Sequence, residues 1–229
     1  MRYLPLIPLL LAFASCEQEP VEKRAAVPVE ITVPFSQASY KMTVTLNWQS
    51  PGFAIPAGAH VTTLIGMIHS KDTSLWKPGR QASKGLEDVA EVGNTTNMNL
   101  ELDSIIARNK AISKFRIAPP VVTGTVVMDF YFDTNYPCIS FASMIAPSPD
   151  WFMGLHDVNL FQNNKWVDDI TLNIMLYDAG TEDGDVFGYN NPATTPQQNI
   201  SFLTPMNASV LANGNPEIYS IGTARFVRN

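Results

Sequence analysis

The chain has 229 residues, 45% of them hydrophobic, with 15 Lys and Arg against 21 Asp and Glu for a formal charge of −6. That length buries one substantial core as a single domain, and the acidic balance gives no attraction to phosphate backbones, so nucleic acid is excluded as a partner. Of the 2 cysteines, Cys16 and Cys138, the first lies at an export boundary, which leaves Cys138 without an intramolecular disulfide partner and excludes a disulfide-stapled scaffold.

Residues 1–15 read as an export signal. Arg2 is a short basic start, Leu4 to Ala14 is an apolar stretch too short to span a bilayer, and the small pair Ala14-Ser15 precedes Cys16. This ending has the form of a bacterial lipobox, in which Cys16 would be the lipidation site and several acyl chains, each CH₂ worth ~0.8 kcal/mol, would anchor the protein. Phe13 stands where a lipobox usually has Leu, and Pro5 and Pro8 interrupt the apolar stretch. The alternative is an ordinary secretory signal with an incidental cysteine. Residues 16–38 contain the run Glu17 to Arg24, charged, proline-bearing and without apolar periodicity, which predicts a flexible tether. Residues 39–229 are then the folded domain.

Within that domain, Tyr40 to Trp48 puts Met42, Val44, Leu46 and Trp48 on one face, the alternation of a strand in a half-solvated sheet. Helical spacing appears twice: Leu86, Val89 and Ala90 in a segment closed by Gly93, and Leu102, Ile105 and Ile106 within Leu100 to Arg108. Gly124 to Asp133 alternates again, with Val126, Met128, Phe130 and Phe132 predicted to face the core. Ile139 to Ile145 follows the Asn135-Tyr136-Pro137 turn, and the two predict a hairpin. Further strands are expected at Val158 to Leu160, Ile170 to Tyr177, Asn199 to Leu203 and Ile218 to Val227. Many short strands with one or two short helices in connections argue for an all-β, antiparallel β-sandwich with Greek-key wiring.

Two segments carry the candidate site. Pro147-Ser148-Pro149-Asp150-Trp151-Phe152 and Tyr177-Asp178-Ala179-Gly180-Thr181-Glu182-Asp183-Gly184 each place carboxylates in a Pro- or Gly-punctuated loop at the end of an apolar run. Oxygen ligands converging there suit a hard cation such as Ca²⁺ better than acid–base catalysis. Solvated acidic turns are the plainer alternative.

These segments, together with Ile55 to His60, Leu64 to His69, Leu75 to Leu86 and Ala90 to Gly93, occur in the order found in the N-terminal domain of the spondins, a family of extracellular matrix proteins that the chain resembles from about Tyr40 to the Pro192-Ala193-Thr194 region. The resemblance implies a C2-like sandwich and a calcium site at Asp150, Asp178 and Glu182. At the third position the family usually has aspartate; here Glu182 is followed by Asp183, and either supplies the ligand. Leu160-Phe161 stands where family members have Leu-Cys, a departure that favours a bacterial relative.

Trp151 and Phe152 are expected to plug the core rather than form a binding patch, with Trp76 to Arg80 the better exposed-loop candidate. His60, His69 and His156 lack zinc-ligand spacing and read as hydrogen-bonded framework, and Cys138 as a buried inert thiol. No nucleophile-elbow, zinc-protease or P-loop motif is present. The expectation is a non-catalytic calcium-binding adhesion or recognition module that is exported to the outer membrane or cell surface of a bacterium. It would touch the membrane through its lipid anchor only and bind an extracellular glycan or protein. The alternatives are a glycan-processing hydrolase or accessory protein using Asp150 and Asp178, and a structural envelope lipoprotein.

Overall fold

The structure, a computed structural model, describes residues 34–48, 55–204, 208 and 220–229. The signal segment, Cys16 and most of the tether lie outside the described residues. Strand β1 spans Gln37–Asn47, β2 His60–Val61 and β3 Leu64–His69; helices α1 (Lys84–Val92) and α2 (Thr96–Ala107) follow, then β4 (Ala111–Ile117), β5 (Thr123–Asp133), β6 (Cys138–Ala146), β7 (Trp151–Asn159), β8 (Phe161–Gln162), β9 (Lys165–Trp166), β10 (Asp169–Asp178), β11 (Ser201–Phe202) and β12 (Ser220–Arg228).

The main sheet runs β4-β3-β6-β7-β10-β12-β1-β5, with β2 added to β6 and β11 to β10, and every pairing is antiparallel. It curls so that the inner faces of both halves share one core. Tyr40, Met42, Val44 and Leu46 of β1 are fully or almost fully buried there with Phe130 and Phe132 of β5, Phe141 of β6, Trp151 and Met153 of β7 and Phe226 of β12. The alternation in β1 and β5 therefore does what its period predicts: one row enters the core and the other meets water. This is an antiparallel β-sandwich.

A second core lies on the outer side of β3, β6, β7 and β10, where α1 and α2 cover Met67, Ala142, Phe152 and Tyr177 with Leu86, Val89, Ala90, Met98 and Leu102. Helix α1 starts at Ser83, whose Oγ accepts the Leu86 N–H at 3.2 Å, and stops at Gly93, whose φ of 66° a side chain rarely adopts. The three apolar residues expected on its inner face are all buried.

The hairpin expected between β5 and β6 does not form. β5 pairs with β1, and β6 pairs with β3 and β7. The reason is burial: every residue of β6 is buried, so both of its edges need strands and both of its faces need cover, whereas β5 alternates and takes the sheet's end. The Asn135-Tyr136-Pro137 segment is thus a crossover between the two halves of the sandwich.

Candidate metal centre

The antiparallel register of β7 and β10 sets Asp178 opposite Trp151, so Asp150 lies one residue beyond that pair and the two acidic loops leave the sheet at the same end. Asp150 has no exposed surface. Its Oδ2 accepts the Thr181 N–H at 2.6 Å, the Glu182 N–H at 3.1 Å and the Thr181 hydroxyl at 3.2 Å, while its backbone carbonyl accepts the Ala179 N–H at 3.1 Å. Asp150 thereby organises the loop that follows β10. Its other oxygen, Oδ1, is buried and has no hydrogen-bond partner.

Asp178 Oδ1 accepts the Gly180 N–H at 2.8 Å, an Asx turn that starts the loop. Gly180 has φ 73°, and a Cβ there would come within 2.7 Å of the Gln198 backbone, so the turn requires glycine. The Gln198 N–H donates to Gly180 O at 2.8 Å, and the Thr194 N–H to Thr181 O at 2.9 Å, folding the 190s back over the loop. Beside it opens a cleft of about 340 Å³ lined by the acidic side chains of Asp178, Glu182, Asp183 and Asp185.

The charges are mutually unfavourable. Burial, then the neighbouring Asp150 charge, pushes the Asp178 carboxyl up to about 7 against the pull of the Gly180 N–H. Glu182 is pushed to about 7 by burial and then by Glu91 of α1. Burial raises Asp150 as well, against its N–H donors. Among the described residues no group of three or more His, Cys, Asp or Glu side chains is arranged as a ready metal cage. The loops instead bring Asp150 and Asp178 close enough for their charges to act on each other, while Asp150 Oδ1 stays buried without a donor.

Of the other candidates, Trp151 and Phe152 are fully buried, one in each core, as packing predicts. Trp76 is buried too, its indole N–H donating to Phe141 O at 3.1 Å and its ring meeting Tyr177 edge-on at 4.6 Å, so the expected exposed loop begins only at Lys77. His69 is fully buried, with Nε2 2.8 Å from Ser140 Oγ and Nδ1 2.9 Å from Ser70 O; His60 Nδ1 is 2.8 Å from Gly58 O. Both are framework histidines. Cys138 is buried, which pushes its thiol up to about 11 and keeps it inert.

Two residues escaped the sequence pattern, one a charged neighbour of Glu182 and one toward the other end of β7 from Asp150. Glu91 belongs to a helix far from the acidic turns in the chain, and Asp157 occupies the left-handed region at φ 52° where the β6–β7 ladder bulges, accepting the Ser74 hydroxyl at 2.8 Å.

Residues 38–214 match the family model described as Spondin_N. Spondin-2 of Homo sapiens is 32% identical over 185 residues, 77% of this chain and 55% of that protein. Spondin-2 of Rattus norvegicus is 31% identical over 185 residues, 77% of this chain and 56% of that protein. Spondin-1 of Mus musculus is 31% identical over 202 residues, 84% of this chain but 25% of that protein. The chain thus spans about half the length of the spondin-2 proteins and about a quarter of spondin-1.

Proposed function

The chain belongs to the Spondin_N family, and from that premise we propose that it is a non-catalytic extracellular recognition module whose surface at one end of the sandwich is fixed by bound Ca²⁺. The observation that carries the reading is the fully buried Asp150, whose Oδ1 has no donor and whose charge acts on Asp178 and Glu182. A buried anion without a full set of partners is unfavourable unless a cation or a proton joins it. Oxygen-only donors favour a hard divalent ion over zinc.

Asp150, Asp178 and Glu182 would hold the ion. Glu182 is preferred to Asp183 because Glu182 is half-buried and feels the Asp150 charge, whereas Asp183 is exposed and accepts the Thr194 hydroxyl at 2.5 Å. Bound calcium would neutralise carboxylates that now repel one another and hold the loop ends in one arrangement. A hydrolase using Asp150 is disfavoured, since a carboxyl with no exposed surface does not reach a glycosidic bond. The partner in this reading is an extracellular glycan or protein. Export, with a lipid on Cys16 holding the protein at a bacterial outer membrane, is the reading of the N-terminal residues.

The test is thermal unfolding of the protein in calcium and in chelator. With the ~10⁻⁴ to 10⁻³ M affinity usual for extracellular modules, 5 mM calcium should stabilise by about 1 to 2.5 kcal/mol, and Asp178→Asn should remove the effect. An unfolding curve indifferent to calcium, with the wild-type loops intact, would reduce the acidic turns to solvated loops.

A further inference from the structure

Toward the other end of β7 from Asp150, the groups around Asp157 form a second polar cluster that has no part in the calcium reading. His69, the last residue of β3, is fully buried in it. Ser140 Oγ, also buried, accepts the Asp157 N–H at 2.8 Å and lies 2.8 Å from His69 Nε2. His69 Nδ1 lies 2.9 Å from Ser70 O, a carbonyl that can only accept. In the neutral ring, Nδ1 therefore carries the proton, and Nε2 accepts the proton of the Ser140 hydroxyl.

Asp157 also holds the loop that leaves β3. Ser74 Oγ is 2.8 Å from Asp157 Oδ1, 3.0 Å from Oδ2 and 2.8 Å from Trp76 O, so its single proton has two alternative directions. Beyond Ser74 the chain is fastened by the Trp76 indole on Phe141 O and by the Gly79 N–H on Ile200 O at 2.8 Å. The reach from Ser70 to Leu75 is thus slung between His69 and an anchored Trp76. Other charged or titratable groups surround it. Asp157 Oδ1 is 4.0 Å from His69 Nε2, and Oδ2 is 3.6 Å from His156 Nδ1 and 3.9 Å from Lys77 Nζ. Cys138 stands across from His69 on β6 and keeps its thiol proton, Asp72 pairs with Lys110, and Lys71 lies over the Phe161 ring.

We propose that His69 is a proton-operated catch for the Ser70–Leu75 loop. With a proton on Nε2 the relay runs the other way: Nε2–H donates to Ser140 Oγ, which keeps the Asp157 N–H on its second lone pair and turns its own proton toward the Asp157 carboxylate. The carboxylate swings toward the imidazolium and away from Ser74, whose hydroxyl keeps Trp76 O as its acceptor. Each of these donors has a partner in both arrangements, which is what a two-state element requires. The loop then lifts and water reaches the imidazole. Burial in the closed form holds His69 below its ordinary value of ~6.5, so acid favours the open form. For one proton the opening equilibrium rises by up to about tenfold per pH unit.

The test is hydrogen exchange followed by NMR on the protein from about pH 7.5 to about pH 4.5, in wild type, His69→Gln, His156→Gln and Ser74→Ala. The reporters are the Ser70 and Thr73 N–H groups, which donate to Lys110 O at 3.0 Å and to Ser70 O at 3.2 Å. Their protection, corrected for intrinsic exchange, should fall by up to about tenfold per pH unit below about 6.5 in wild type and in His156→Gln, while the Trp76 indole N–H stays protected. His69→Gln, whose amide oxygen still accepts the Ser140 proton but takes up none, should hold its protection constant. If that variant does not fold, Ser74→Ala decides, because a loop without its catch should be poorly protected at every pH. Protection that is constant with pH in wild type, or that falls equally in His69→Gln, or that still falls in Ser74→Ala as in wild type, would overturn the inference. Loss of indole protection in step with the loop would do the same, since the whole domain would then be unfolding.

Discussion

Phe115 and Phe130 sit on strands at opposite ends of the sheet order, yet their rings meet with centroids 4.8 Å apart. The contact is what closes the curled sheet into a sandwich, because each ring is the inward anchor of an end strand. On the neighbouring connection the Val61 N–H donates to Val121 O at 2.8 Å and the Trp48 N–H to Val122 O at 3.3 Å, fixing the segment between β4 and β5 from the other side. A shallow cleft of about 280 Å³ remains where the two end strands approach, between Lys114 and Asp129.

Closure through these rings makes a prediction. Phe115→Ala and Phe130→Ala should each destabilise by about 3 kcal/mol, at the low end for buried Phe truncations because neither ring is fully enclosed. A double-mutant cycle by urea unfolding should return a coupling of roughly 0.5 to 1.5 kcal/mol. Strict additivity would mean that the rings are neighbours without being partners, and that closure rests on the backbone bonds alone.

The strands cross so closely at Gly154 that no side chain fits. A Cβ there would lie 2.3 Å from Phe141 O and 2.8 Å from the Trp76 ring, and Phe141 O is the acceptor of the Trp76 indole N–H. Gly154→Ala should therefore displace Trp76, with a loss of about 2 kcal/mol or more in urea unfolding and a changed tryptophan emission. Gly188→Ala, where nothing lies within 4 Å, should stay within roughly 0.5 kcal/mol. Equal effects at the two sites would show that β6 and β7 can separate at this point at little cost.

How much of this was readable depends on where water lies. β1 and β5 announce themselves because one face of each is solvated, so the period of two survives in the residue types. Leu64 to His69 and Trp151 to Leu155 are buried throughout, and an uninterrupted apolar run carries no period; β3 and the first half of β7 passed as motif and loop for that reason. β4 is irregular in its burial and left no pattern. Helix α2 starts at Thr96, before the stripe that suggested it, and so buries Met98 while Leu100 stays exposed. The acidic turns were legible because Pro, Gly and carboxylates are local signals. Glu91 was not, because its charge acts on Glu182 only once α1 has packed on the sheet.

The charge on Asp178 should set how the metal-free protein responds to pH. Its folded value of about 7 stands well above the usual ~3.9 for an aspartate in an unfolded chain. Between those two values the folded chain binds a proton that the unfolded chain has released, so stability contributed at this position falls as pH rises from about 4 to about 7 and then levels. His69 works in the opposite sense: burial holds its folded value below the usual ~6.5, so the unfolded chain gains a proton first and stability is lost as pH falls below about 6.5. Comparing wild type with Asp178→Asn cancels the histidine contribution. In chelator the variant should melt at nearly the wild-type temperature at pH 4 and progressively above it toward pH 7.5, each kcal/mol of relief appearing as roughly 2 to 4 °C at this chain length. In calcium at pH 7.5 the gap should narrow, because wild type gains the ion and the variant does not. A melting difference that is the same at pH 4 and pH 7.5 in chelator would mean that Asp178 ionises in the fold without penalty, and that the two acidic loops need no cation to sit side by side.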